Sequence, residues 1–279
     1  MGILETLFVV TALAGVVGTG AGGLIGAMLQ RESNRIVSLL LSFAAGVMLS
    51  VVCFDLIIEA IETNVGIFVV IAATALGVGV IYFLNHLIDL NTNPEIPHID
   101  ENHPTTADAL DELIHSDHLE YHYLSNDNKF SLFVAGVVMA CAIALHNVPE
   151  GMTIGASYAS ESGVLGKSAI TLALLIGLHN IPEGMAVSVP LITGGIGKVK
   201  AVLITAASGI PTIIGAFLGY LVGDIGPMGL ALSLSFASGA MLYVVFGEIL
   251  PQAFLLYHSK HPAFAAIFGM FVGLLIIYL

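Results

Sequence analysis

Eight largely apolar stretches run through this chain, at roughly 4–29, 36–60, 66–89, 130–157, 167–191, 199–223, 228–256 and 262–279. Crossing the hydrocarbon of a bilayer takes about 20 apolar residues of α-helix. Inside that hydrocarbon the backbone must satisfy its own hydrogen bonds, so runs of this length select helices over any open sheet. A soluble alternative fails on charge, since only 10% of the residues are Asp, Glu, Lys or Arg against about 25% in a globular domain. The expected fold class is an all-α integral membrane protein, a single eight-helix transmembrane domain over residues 1–279. The first stretch is read as a span and not a signal peptide, because Glu5 replaces a basic leader and the apolar run is long. It carries Gly18, Gly22 and Gly26 at four-residue spacing, a ridge that lets another helix approach closely.

Lysine and arginine set the expected orientation. Arg31, Arg35, Lys129, Lys198, Lys200 and Lys260 fall on one side and only Lys167 on the other. With eight spans this places both termini outside and the basic loops in the cytoplasm, and the expected location is the cell (inner) membrane. The net charge of −13 excludes a basic nucleic-acid-binding surface. Eight of those charges lie in the 90–129 loop, with His98, His103, His115, His118 and His122. That loop reads either as a solvated polar segment or as a cytoplasmic metal-collecting one. Cys53 and Cys141 lie in apolar segments and imply neither a disulfide framework nor a thiolate metal cage.

Residues 41–60, LSFAAGVMLSVVCFDLIIEA, match residues 234–253, LSFASGAMLYVVFGEILPQA, at ten of twenty positions without a gap. The repeats lie five spans apart, so they run in opposite directions. The expected architecture is an inverted repeat, spans 1–3 related to 6–8, around the central helices 4 and 5. Inverted repeats are a hallmark of secondary transporters, which hold substrate near the midplane.

Spans 4 and 5 carry His146-Asn147-Val148-Pro149-Glu150-Gly151 and His179-Asn180-Ile181-Pro182-Glu183-Gly184 near their middles. A histidine and a glutamate four apart share one helix face. Each proline removes a backbone donor and frees the carbonyl of Leu145 or Leu178. An ionised side chain at the bilayer centre costs about 2.5–3.5 kcal/mol or more. No Lys or Arg lies deeper in the spans than their first two residues to offset Glu150 and Glu183, whereas a divalent cation cancels both charges. Imidazole with carboxylate suits Zn²⁺ and its first-row neighbours, and all-oxygen sites suit Ca²⁺ or Mg²⁺. The competing reading is a pair of kinked helices stapled by His–Glu hydrogen bonds. An intramembrane metalloprotease would need H-E-x-x-H, which is absent.

The paired HNxPEG motifs, the eight spans and the histidine-rich loop resemble the ZIP family of divalent metal transporters, in its GufA-like branch. The resemblance implies a transporter and not an enzyme. No resident cofactor is implied. The transported ion would be Zn²⁺, often also Fe²⁺, Mn²⁺ or Cd²⁺, moving toward the cytoplasm. It implies a first metal on His146, Glu150 and Glu183 with His179 close by, and a second on Asn147 and Asn180 with a shared glutamate. The chain departs from similar binuclear members at Thr212, which stands where they carry a glutamate, so the expectation is one strong site and a weak or absent second.

Asp55, Glu59, His86, Asp89, Thr212 and Glu248 are the expected pathway residues, Asp55 and Glu248 holding the same place in the repeat. The resemblance further implies that spans 1, 4, 5 and 6 move against 2, 3, 7 and 8. The expected partners are the divalent ion and the lipid bilayer, with a homodimer open and carrier against channel kinetics undecided.

Overall fold

The computed structural model describes residues 2–28, 34–92, 128–160 and 167–279. The loop histidines His98, His103, His115, His118 and His122 lie outside them. Among the described residues every regular element is helical, and eight helices are long and apolar enough to cross a membrane. They are α1 (Ile3–Met28), α2 (Arg35–Glu62), α3 (Ile67–Thr92), α4 (Asn128–Ser160), α5 (Lys167–Thr193), α6 (Lys198–Gly223), α7 (Pro227–Leu256) and α8 (His261–Tyr278). The main buried cluster lies where α2, α4, α5 and α7 meet, with Met48, Leu56, Ile154, Leu175, Leu234 and Met241 among its members. The faces of α3 and α8 away from it expose Phe68, Ile71, Phe264 and Phe271, side chains suited to lipid.

The packing partners exchange under the repeat. Helix α2 lies along α8 and α7 along α3, while α1 lies along α5 and α6 along α4. Backbone contact at glycine fixes each pair. A methyl group at Gly46 would overlap the carbonyl of Ala266, and one at Gly269 the carbonyl of Phe43. On the other side, Gly239 meets Thr74 and Gly77 meets Phe236 in the same way. Phe43 and Gly46 map onto Phe236 and Gly239 in the repeat, so Gly77 corresponds to Gly269 and α3 to α8. The α1 ridge does the same work, Gly18 and Gly22 lying against the backbone of Gly177 and Ile181 on α5. Close backbone approach is what holds membrane helices together where no hydrophobic force separates them from lipid.

The irregular turns also obey the repeat. A π-helical turn interrupts α2 at Val52–Leu56 and α7 at Val245–Ile249, corresponding positions that carry Asp55 and Glu248. Another interrupts α1 at Leu13–Val17, and α6 breaks at Gly209 ahead of Pro211. Such turns are frequent at functional sites, because they re-aim side chains and release carbonyls from the i→i+4 ladder.

Candidate metal centre

The motif residues occupy the buried middle of α4 and α5. His146, Asn147, Glu150, His179, Asn180 and Glu183 are each at most 4% exposed. Pro149 and Pro182 lie inside these helices, three residues after each histidine. Antiparallel packing of α4 on α5 turns the two motifs toward each other. Glu150, His179 and Glu183 offer ligand atoms that all lie within 4.8 Å of one another. Ligands of a tetrahedral Zn²⁺ at about 2.0–2.1 Å stand about 3.4 Å apart, so the cluster already has close to the span of a metal site.

The two histidines have different partners. His179 Nε2 lies 3.1 Å from Glu150 Oε1, within the cluster. His146 Nε2 lies 2.7 Å from Glu248 Oε2 on α7, an ion-pair contact without hydrogen-bond alignment. Glu248 also accepts a hydrogen bond from Asn85 Nδ2 on α3. Several buried atoms in the centre lack hydrogen-bond partners: both oxygens of Glu183, Oε2 of Glu150 and Nδ1 of both histidines. Native proteins leave few buried polar atoms unsatisfied, and clusters of them mark a ligand's place. Among the described residues, the lysines and arginines lie at helix starts or just before them. A divalent cation is the partner that this set of two carboxylates and two imidazoles fits.

The two asparagines do something else. Asn147 Nδ2 donates to the carbonyls of Ile143 (3.0 Å) and Ser208 (2.9 Å), the latter beside the α6 break. Its Oδ1 accepts from Thr212 Oγ1 at 2.9 Å and from Asn180 Nδ2 at 3.4 Å. Asn180 Nδ2 also reaches the Ala14 carbonyl, at 3.1 Å, inside the π turn of α1. One neutral belt of amide and hydroxyl groups thus joins α1, α4, α5 and α6. Asn180 Oδ1 alone in this belt has no partner.

The expected pathway residues fall into two groups. Glu248 is drawn into the centre, whereas His86 is exposed and stacks on Tyr82 at a centroid distance of 6.3 Å. The side chain of Asp89 lies outside the described residues. Asp55 and Glu59 are half-buried near the opposite end of the bundle. Asp55 lines a cavity of about 250 Å³ with Lys167, Ser168, Thr171 and Ile277. Asn85, Ser208, Ser168 and Thr171 were not singled out from sequence, and Lys167 only for the orientation. For Asn85 a signal was present, a lone amide in the apolar run of α3.

The family model described as "ZIP Zinc transporter" matches residues 4–279. Among curated proteins, the chain is similar to the zinc transporter ZupT of Clostridium perfringens, 33% identical over 96% of this chain and 92% of that protein. It is also similar to those of Nitratidesulfovibrio vulgaris, 34% identical over 88% and 86%, and Chlorobaculum parvum, 32% identical over 94% and 92%.

Proposed function

Because the chain belongs to the ZIP family of zinc transporters, we propose that it carries Zn²⁺ toward the cytoplasm by alternating access, one ion at a time, through the centre on α4 and α5. Membership makes it a multi-pass membrane transporter of divalent metal and not an enzyme. The observation that carries the reading is the buried convergence of Glu150, His179 and Glu183 with unpartnered carboxylate oxygens, while among the described residues the lysines and arginines stand at or just before helix starts. His146 completes the set by turning from Glu248 to the ion. Mixed imidazole and carboxylate donors favour Zn²⁺. Fe²⁺, Mn²⁺ and Cd²⁺ are the competitors that uptake must rank.

A carrier, not an open pore, suits a centre no more than 4% exposed. In this reading the belt makes α1, α4, α5 and α6 one moving body, and the glycine contacts make α2–α8 and α3–α7 the frame. The lysine and arginine distribution supports an orientation with the Asp55 cavity outside, Glu248 toward the cytoplasm and both termini external, in a cell membrane.

The test is radiolabelled zinc uptake into proteoliposomes by the parent, His146→Ala and Glu183→Ala. Saturable uptake by the parent and a loss of more than about tenfold in Glu183→Ala are expected, since even groups behind the ligands matter at that level. Uptake by Glu183→Ala at the parent rate overturns the assignment.

A further inference from the structure

The cavity beside Asp55 has a lysine in its wall. Lys167, Ser168 and Thr171 from the first turns of α5, Asp55 from the π turn of α2 and Ile277 from α8 line it together. Its walls are tied to one another. Tyr278 donates its hydroxyl hydrogen to the carbonyl of Phe54 in that π turn, at 3.3 Å. Lys167 Nζ donates to the carbonyl of Leu279, also at 3.3 Å. A basic residue is out of pattern at this end of the bundle. Arg35, Lys129, Lys198, Lys200 and Lys260 stand at or just before the starts of even-numbered helices. Among the described residues Lys167 alone stands at the start of an odd-numbered one, at the end where Asp55, Glu59 and Glu62 lie. A mouth built only to attract a divalent ion gains nothing from an ammonium group.

The donor set of the cavity gives the lysine a use. It offers a carboxylate and two hydroxyls to an ion, and among the described residues no imidazole or thiolate lines it. Oxygen donors alone suit Mg²⁺ and Ca²⁺, and Mg²⁺ keeps most of its water. At about 30 Å³ per water, an ion with six waters needs about 180 Å³, and the cavity has about 250 Å³. An abundant hard cation can therefore sit at Asp55 and bar the way to the centre. Resting on the carrier reading above, we infer that Lys167 is a tethered cation that keeps Mg²⁺ and Ca²⁺ from lodging at Asp55. Its flexible four-carbon stem lets the ammonium lean between the Leu279 carbonyl and the cavity. Zinc passes because the imidazoles of the centre draw it onward, a pull that hard cations scarcely feel. Lys167 acts through Asp55 and is a positioning residue, not a ligand. Across a cavity about 8 Å wide, one positive charge lowers occupancy by a divalent ion about fivefold even at the dielectric constant of water.

The experiment measures radiolabelled zinc uptake by intact cells producing the full chain, with graded Mg²⁺ in the medium. Insertion in a cell membrane is uniform, so one mouth faces the added ions. The medium is sucrose at an ionic strength of about 0.01 M, where a Debye length of about 30 Å leaves the lysine unscreened. Lys167 is exposed, and substitutions at such positions seldom disturb a fold. Lys167→Gln should lower the inhibition constant of Mg²⁺ by about fivefold or more, and Lys167→Arg should keep the parent value. Adding Asp55→Asn to Lys167→Gln should abolish the gain, and raising the salt to about 0.15 M should shrink it. Damage to the fold lowers the maximal rate but does not tighten the binding of an inhibitor. An inhibition constant unchanged in Lys167→Gln, the same fall in Lys167→Arg, or a fall that persists undiminished with Asp55→Asn overturns the inference. Parent uptake that survives Glu183→Ala strikes the carrier reading instead, a result separate from any comparison of Mg²⁺ inhibition among the Lys167 variants.

Discussion

At the scale of single residues, the chemistry of the centre is divided between groups that can hold an ion and groups that hold the helices. Asn147 spends both amide hydrogens on backbone carbonyls, and its oxygen accepts from Thr212. Metal titration should therefore give one tight Zn²⁺ per chain. Thr212→Glu should add a second, read by equilibrium dialysis, and should lower the metal-free melting temperature, because a fully buried carboxylate without a partner is costly. Histidine and glutamate bind metal deprotonated, so protons compete with the ion. Zinc uptake should fall steeply as external pH is lowered from 7 to about 5, where imidazole becomes protonated; a flat profile would contradict the ligand set. The ligand candidates were legible in the sequence because the motif occurs twice, with acids where hydrocarbon tolerates none. The role of Asn85 was not legible. Its partner Glu248 lies 163 residues away, and only packing of α3 on α7 unites them. The same holds for Asn147, whose bonds are decided by the α6 break at Gly209.

At the scale of helices, glycine-to-carbonyl contact is what ties α2 to α8 and α3 to α7. Gly77→Val and Gly269→Val should each force a pair apart, lowering stability by about 1–3 kcal/mol as overpacking does. Thermal aggregation of detergent-solubilised protein, with Gly79→Val as the control at a glycine with open space around it, measures this. The kinship of α2 and α7 was visible as ten identities in twenty residues. That of α3 and α8 was hidden, since helices facing lipid need only apolar side chains at most positions and retain the glycine of the contact. The π turns were also hidden. Asp55 and Glu248 gave a reason to compare the two segments, but no pattern of residue types announces one extra residue in a helical turn.

At the scale of the whole molecule, the paired helices and paired motifs form a machine that is nearly its own image when turned over. Eight spans and their inversion followed from hydropathy and an odd number of crossings. The departure from symmetry, His146 on Glu248 while His179 turns to Glu150, required coordinates. A frame whose halves exchange has no built-in one-way valve. On the carrier reading, either end state can load and either can release. The direction of net flow is then a property of the membrane in which the protein sits: a potential of 100 mV, negative inside, is worth about 4.6 kcal/mol to an ion of charge two, before any concentration ratio is counted. Vesicles preloaded with zinc and placed in a chelating medium should therefore empty through the same centre, with the same dependence on Glu183, as those that fill.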